Sequence, residues 1–567
     1  MISKKWEILH KDPKDIKTIK DITNILLKNR GIKTEKQKME FFEPIDPMKI
    51  SLKSLGISES EVKKAIGRIK KAKKNDEHVI VYGDYDADGI TGTATMWETL
   101  HALGIFVLPH IPERFSEGYG LNLESVARLK KEDPKLKLII TVDHGITAGK
   151  KVDEVGKMGI DMIISDHHQQ GKEKTKPLAL IYTTQIGGSA LAWFFAREVL
   201  KKVGPFAEGS DLIKEKLQLA AIGTVADQLP LVGPNRSIVK YGLEELKNTK
   251  RPGLLALFDE AGLTGSDPVK RVGTYEVGFM IAPRINSMGR LKHGLESLRL
   301  LCTKDKFKAM EIAGNIGRTN FDRQKMVDQI MATTLSEMKI ESKGFTNEII
   351  IIAGESYHEG VIGLAAAKLV EEFYRPAIVL SIKEGVAKAS ARSISGFNII
   401  EAIRKFEDLY IEGGGHPMAA GFSIKTENIP EFSRRLNKLA KGTLTEELLQ
   451  RRLKIDLELD FEKINPELVE WVKKFEPSGL GNPSPVFVSK DVEIISVKAV
   501  GRDAKHLKLK LRQNEHIFDS IFFGGGEMYS KLSTKAKLDV VYRLEENVWN
   551  GLVSLQLQIR DIKVDLH

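Results

Sequence analysis

The segment VIVYGDYDADGITGT, residues 79–93, places Asp84, Asp86 and Asp88 within five positions, directly after the apolar run Val79-Ile80-Val81-Tyr82. Like charges this close repel, so a fold that keeps them together needs a counter-charge: a metal ion, a basic side chain or bulk water. The residues that follow, Ile90, Thr91 and Gly92, supply no base. Three further segments end in metal-competent groups. LKLIITV (136–142) runs into Asp143-His144-Gly145, MIIS (162–165) into Asp166-His167-His168, and AAIGTVAD ends at Asp227. A single aspartate at such a position is ordinarily a turn or a helix cap, and a lone His-His pair is usually incidental. Four such segments in order along one region point instead to a shared site. Hard divalent cations take oxygen ligands, and Mn2+ also accepts imidazole. Two ions a few ångströms apart need about six to eight protein ligands. Asp84, Asp86, Asp88, Asp143, His167 and Asp227 supply that set, which predicts two divalent ions, Mn2+ or Mg2+.

The elements that must position these groups are legible around them. Glu61 to Lys74 reads as an amphipathic helix with Val62, Ile66 and Ile69 on one side. Residues 79–82, 136–142 and 162–165 read as short buried strands, and Thr93 to Leu103 as a helix. Apolar strands alternating with helices predict a parallel sheet covered on both faces, which binds ligands at the carboxyl ends of its strands. Residues 304–341 form a long polar helical pattern without proline. A second α/β region follows, with strands at 349–353 and 377–381, a helix at 363–373 and the cluster Gly413-Gly414-Gly415. From about residue 452 the pattern becomes period-two. The candidate strands LKIDLELDF, VEIISVKAV, HLKLKLRQ, LDVVYRL and VSLQLQIRDIKV suggest a small OB-type β-barrel.

Composition narrows the class. The 567 residues are 42% hydrophobic and 29% charged, the profile of a globular chain of several domains. A net charge of +10 favours a polyanionic partner such as nucleic acid. Cys302 is the only cysteine, which excludes an intramolecular disulfide or a cysteine-rich zinc site. No signal-like or membrane-spanning run is present, and a cytoplasmic location is expected.

The wording of the acidic segments resembles the DHH phosphoesterase superfamily: "DYDADG", "VDHG", "SDHH" and "GTVAD" match its four successive motifs. Within it, the chain is similar to the RecJ family of single-strand-specific 5′ exonucleases, over roughly residues 50–567. The resemblance implies that Asp84, Asp86 and Asp88 surround the metals, that Asp143 bridges them, and that His167 and Asp227 complete the ligand set. It implies that His168 contacts the scissile phosphate and that Asp166 orients a neighbour without binding metal. His144 stands where relatives often carry a small residue or cysteine. The segment after the third motif, "IYTTQIGGSALAWFFA", is shorter than the family's usual insertion.

The second half carries further matches. "EGGGHPMAAGFSI" resembles the DHHA1 signature, in which glycine amides and His416 would approach a phosphate. "KASARSI" sets Ser390 and Arg392 on one face of a strand. The resemblance makes them a 5′-phosphate pocket, completed by Arg114 of "PERFSEGYGL". "APRINSMGR" (Arg284, Asn286) and "TNFDRQK" (Gln324) resemble segments lining the path of the DNA strand, and His358 precedes a helix N-terminus. In "HLKLKLRQ", Lys508 and Lys510 alternate with leucines, which suits a sugar-phosphate backbone on an OB surface. "SGLGNPSPVF" resembles the lead into the family's OB-fold.

The architecture implied is α/β: an N-terminal segment (1–60), a parallel-sheet DHH domain (61–300), a connecting helix (301–342), a DHHA1 α/β domain (343–440) and a C-terminal OB-fold β-barrel (452–567). The activity implied is 5′-to-3′ exonuclease action on single-stranded DNA in repair and recombination, by two-metal hydrolysis that releases 5′-mononucleotides. A monomer is expected, with a single-strand-binding protein or a RecQ-type helicase as candidate partners. The alternatives are a DHH-DHHA1 phosphodiesterase acting on short oligonucleotides or cyclic dinucleotides, and an inactive nucleic-acid-binding scaffold.

Overall fold

The computed structural model describes residues 4–12, 15–171, 174–204, 211–263, 272–340, 348–549 and 552–564. They form two compact units. One comprises Trp6–Gly289, His293–Ala313 and Lys454–His567; the other comprises Met1–Lys5, Arg290–Lys292 and Gly314–Leu453. The DHH region and the barrel therefore share a unit.

The first strand, β1 (Lys5–His10), lies at the edge of the barrel sheet. The next five strands build the parallel sheet that the buried apolar runs predict: β2 (His78–Tyr82), β3 (Val107–His110), β4 (Leu136–Val142), β5 (Asp161–Asp166) and β6 (Ala179–Tyr182). Their order is β3-β2-β4-β5-β6, and every pairing is parallel. Helix Glu59–Lys74 packs Val62, Ala65, Ile66, Ile69 and Ala72 inward, and Ser58 caps it. Three helices, Ala87–Ala102, Gly188–Val203 and Asp211–Ala226, share a core with the sheet through Met96, Leu100, Trp193, Phe194, Leu217 and Ala220. The first of them starts six residues before the expected Thr93, because Asp86 accepts from Gly89 N and caps it.

The second unit holds a five-stranded sheet: β7 (Ile350–Gly354), β8 (Ala377–Lys383), β9 (Val386–Arg392), β10 (Tyr410–His416) and β11 (Ala419–Lys425). The order is β10-β11-β9-β8-β7, with only β7 and β8 parallel among its pairings. The glycines at 413–415 lie inside edge strand β10. A Cβ at Gly413 would meet that of Phe422 on β11 at 2.7 Å, so the glycine permits the close pairing. The long polar pattern is one helix, Lys306–Ile340.

The C-terminal strands are β12 (Arg452–Glu458), β13 (Phe487–Val500), β14 (His506–Gln513), β15 (His516–Phe522), β16 (Lys537–Trp549) and β17 (Leu552–Val564). The ring β13-β14-β15-β17-β16 closes through β13 and β16. This is the five-stranded barrel of an OB-fold, but its membership differs from the expected five. LKIDLELDF (β12) stays outside the ring, between β1 and the start of β13, with which it pairs in parallel over two residues. HIFDSIF (β15), whose period-two pattern is broken on its exposed face, takes its place. Leu507, Leu509 and Leu511 fill the barrel while Lys508 and Lys510 face outward. Strand β14 is paired on both sides, so these lysines do not merely blunt an open edge.

One buried side chain ties the N-terminal helices to the barrel's lead-in. The Arg236 guanidinium lies 4.0 Å from the Phe41 ring centroid and donates to the carbonyls of Phe41, Lys474, Phe475, Glu476 and Pro477.

Candidate metal centre

Adjacent parallel strands β2, β4 and β5 deliver Asp84, Asp143 and His167 just beyond their carboxyl ends. Asp227 arrives differently, from the residue after helix Asp211–Ala226. Asp143 has φ 69°, a left-handed conformation uncommon for a residue with a side chain, while its N–H donates to Ser165 O. That turn brings its carboxylate to His167, whose Nε2 is 3.0 Å from Asp143 Oδ1, 3.7 Å from Asp227 Oδ2 and 3.8 Å from Asp88 Oδ2. Three overlapping groups have ligand atoms within 4.8 Å of one another: Asp84–Asp86–Asp143, Asp88–His167–Asp227 and Asp143–His167–His168. All six expected ligands are brought together.

The three aspartates of the first segment are held differently. Asp86 caps its helix. Asp88 accepts from Gly188 N at 2.7 Å and Ser189 N at 3.0 Å, the first amides of helix Gly188–Val203. The short segment after the third motif thus forms a wall of the site. A Cβ at Gly188 would lie 2.4 Å from Asp143 Oδ1, and one at Gly223 would lie 2.3 Å from Asp88 Oδ1. Asp84 Oδ1 and Asp143 Oδ1 are buried and make no hydrogen bond; His167 Nε2 stands 3.0 Å from Asp143 Oδ1 but not in hydrogen-bond geometry.

The electrostatics match a cation site. Burial, and then Asp86, pushes the Asp84 carboxyl up to about 8. Burial, and then Asp88 and Asp86, does the same for Asp227, also to about 8. Asp143 is driven well above its ordinary range by burial and by Asp88, Asp86 and Asp84. Burial holds His167 below its usual value, favouring the neutral imidazole that binds metal. Buried carboxylate oxygens without donors, beside a neutral imidazole, are a donor set that hard divalent ions satisfy.

Around this cluster, Asp166 accepts from His168 N and Nδ1 through Oδ1 and from Ile146 N through Oδ2. It faces those groups and belongs to none of the candidate ligand trios. The hydrogen bond from His168 to Asp166 raises the His168 pKa against the opposing effect of burial. His144 is buried, donates from Nε2 to Tyr82 O, and is lowered to about 4 by burial, so it is a neutral packing residue.

A protein of Bacillus subtilis strain 168, the single-stranded-DNA-specific exonuclease RecJ, is 35% identical across 99% of this chain and 71% of its own length. This chain belongs to the RecJ family. The RecJ of Thermus thermophilus is 31% identical across 92% of this chain and 73% of its own. The crystal structure of RecJ from Thermus thermophilus in complex with Mn2+ matches with a TM-score of 0.80 at 27% identity, covering 98% of this chain and 79% of that one. The Mg2+ complex matches with a TM-score of 0.74 at 26% identity, covering 98% and 78%. The family models place a DHH family N-terminal domain at residues 78–224, a DHHA1 domain at 345–442 and a RecJ OB domain at 455–561.

The remaining RecJ-motif residues have individual settings. Arg114 stacks over the Tyr85 ring at 5.1 Å. Two residues expected on the strand path are used inside the fold. Arg284 pairs with Glu260 and donates to Met280 O; Asn286 Oδ1 accepts from Ala87 N and so braces the DADG turn. In the other unit, Arg392 donates to Ser390 Oγ at 3.2 Å and to Ala391 O. Gly363 faces this pair, and a Cβ there would stand 3.0 Å from Ser390 Oγ and 3.2 Å from Arg392 Nη2. His358 caps helix Glu359–Phe373 through Nδ1. Gln324, His416, Lys508 and Lys510 are exposed. Sequence reasoning passed over Tyr119, whose hydroxyl lies 3.4 Å from His168 Nε2. A tyrosine between two glycines was the available signal.

Proposed function

We propose that this protein is a single-strand-specific DNA exonuclease that works 5′ to 3′, hydrolyses phosphodiester bonds with two divalent ions, Mn2+ or Mg2+, and releases 5′-mononucleotides in repair and recombination. The observation that carries the reading is the convergence of Asp84, Asp86, Asp88, Asp143, His167 and Asp227 on one largely buried centre, where the buried oxygens Asp84 Oδ1 and Asp143 Oδ1 make no hydrogen bond. When bound, the ions supply Lewis acidity to the phosphoryl oxygens and an activated water.

The chain's own residues do the rest. Asp166 holds the His168 ring through Nδ1, which turns Nε2 outward as a donor for the scissile phosphate as its charge grows. Water adds to phosphorus, the P–O3′ bond breaks, and the leaving oxygen takes a proton. The shortened strand again carries a 5′-phosphate, so the contacts that Ser390 and Arg392 offer to it, and that the family resemblance also assigns to Arg114, are remade each cycle. His358, His416 and Gln324 supply polar contacts to the strand, and Lys508 and Lys510 offer cations to its backbone. The closed barrel, matched by the RecJ OB domain model, favours a polymeric substrate over a cyclic dinucleotide. Among the described residues no helix is long and apolar enough to cross a membrane. We place the enzyme in the cytoplasm as a monomer, with a single-strand-binding protein or a RecQ-type helicase as its protein partner.

The test is a polarity assay on end-labelled single strands with Mn2+ or Mg2+. The reading predicts early release of a 5′-labelled mononucleotide and resistance of a blunt duplex. Release from the 3′ end, or equal cleavage of duplex, would overturn it.

A further inference from the structure

Tyr119 occupies a built position beside the metal centre that the mechanism above leaves unused. The residue is 52% exposed, yet the loop that carries it is anchored on both sides. Before it, Glu117 accepts from His110 Nε2 at 3.0 Å and pairs with Arg128 at 3.5 Å, and its backbone carbonyl accepts from Asn122 Nδ2. After it, Asn122 caps the next helix through Ser125 N. Gly118 (φ 79°) and Gly120 (φ 76°) flank the tyrosine in the left-handed region, a pair of turns that residues with a Cβ resist. The result is a single aromatic side chain lifted over the site. It meets Tyr85 edge-on at 6.4 Å and His168 edge-on at 6.2 Å. A half-exposed ring with only edge contacts adds little to stability, so packing does not account for the construction.

His168 is fixed by three interactions: its N–H and Nδ1 to Asp166, and its carbonyl accepting from the Tyr182 hydroxyl at 3.0 Å. Nε2 therefore faces Tyr119 Oη, at 3.4 Å. That separation is long for a hydrogen bond involving a hydroxyl. An oxygen atom entering beside the pair would reach both groups and displace a weak contact. We propose that the Tyr119 hydroxyl is a second catalytic donor, acting with His168 Nε2 on the phosphoryl group under attack. The inference rests on the nuclease reading. It names the group that shares the growing negative charge at the side of the phosphate facing His168. Arg114, stacked on Tyr85, stands on the same shelf.

The test compares wild type, Tyr119→Phe and Tyr119→Ala on a 5′-phosphorylated oligothymidylate. Three quantities are measured: kcat and KM with Mn2+, the Kd for the same oligonucleotide by fluorescence anisotropy without divalent ion, and the melting temperature. Tyr119→Phe keeps the ring and removes only the donor. Its kcat should fall about tenfold to a hundredfold, because the site is less enclosed than a full oxyanion hole. KM, Kd and melting temperature should stay within error of wild type. Tyr119→Ala should be at least as slow as Tyr119→Phe. A Tyr119→Phe protein with wild-type kcat, or one whose KM rises at unchanged kcat, would overturn the inference while leaving the nuclease reading intact. A wild type that releases no nucleotide would overturn the nuclease reading and this inference with it.

Discussion

Asp143 and His167 leave neighbouring parallel strands and meet with Oδ1 and Nε2 3.0 Å apart. The contact depends on a left-handed backbone at Asp143, a conformation that asparagine tolerates far better than alanine. Asp143→Asn is therefore the clean test of the centre. Nucleotide release should fall by about a thousandfold or more, since a ligand central to positioning and charge is lost. The rise in melting temperature that Mn2+ produces in wild type should shrink or vanish. Without metal the variant should melt at or above wild type, because one of several repelling buried carboxyls has become neutral.

Divalent ions should stabilise the wild-type fold itself. A ligand that binds the native state alone adds RT ln(1 + [L]/Kd), about 2.7 kcal/mol at a hundredfold excess over Kd. Titrating Mn2+ into chelator-treated protein should raise the melting temperature progressively, and a chelator should reverse it. Calorimetry that finds no shift at saturating Mn2+ would contradict a metal centre built from these residues.

Gly188→Ala separates packing at the site from stability of the fold. Gly188 is the first residue of its helix, outside the interior where an Ala for Gly exchange gains about 1 kcal/mol in propensity. Here the added methyl would meet Asp143 Oδ1 at 2.4 Å and its Cγ at 2.5 Å. The carboxylate must move, so activity should drop about a hundredfold, as expected for a displacement of roughly 1 Å in a catalytic group. Circular-dichroism melts should show a far smaller change than loss of a core side chain would cause.

Acid should weaken the protein through a site remote from the metals. Glu98 is pushed up by burial, but hydrogen bonds and charge from Arg251 and Lys216 outweigh this and bring its carboxyl down to about 2. A depressed carboxyl stabilises the fold above its unfolded value of 4.5, and that contribution is lost as pH falls from there towards 2. The ceiling on the effect is about 3 kcal/mol. Stability measured by urea denaturation should fall across this window in wild type. In Glu98→Gln the slope should be shallower, from a lower plateau at neutral pH that reflects Arg251 and Lys216 left with an uncharged partner.

Arg392→Ala should abolish the distinction between 5′-phosphorylated and 5′-hydroxyl DNA. Wild type should prefer the phosphorylated strand, and the variant should process both at the slower rate. The guanidinium is already positioned by Ser390 Oγ and Ala391 O, so little reorganisation is needed to receive a phosphate. Full wild-type activity on 5′-hydroxyl DNA would count against the pocket.

Much of this protein was written locally. Buried strands 136–142 and 162–165 are apolar runs bounded by polar turns, and the observed β4 and β5 match them within one residue. Asp84, Asp143 and His167 stand just beyond strand ends, where a parallel sheet presents its loops, so the convergence of these groups on one candidate centre was legible from residue type and spacing. The barrel's period-two pattern was legible for the same reason, except at β15, where exposed residues such as Ile517 break the alternation.

What the sequence could not decide were the meetings between distant segments. Asp88 finds the amides of Gly188 and Ser189 across 100 and 101 residues, so one aspartate is both a candidate ligand and a clamp on a helix start. Asn286 turned out to brace the buried Ala87 amide across 199 residues, and Arg284 to pair with the partly buried Glu260, because an amide or guanidinium beside a polar group shielded from water satisfies that group first. Asp227 leaves a helix where its neighbours leave strands. Tyr119 gained its relation to His168 only through a loop held by His110, Arg128 and Asn122. Periodicity and residue type are properties of neighbours in the chain and can be read there. The partner that satisfies a buried polar group is chosen by packing, and only the tertiary structure contains that choice.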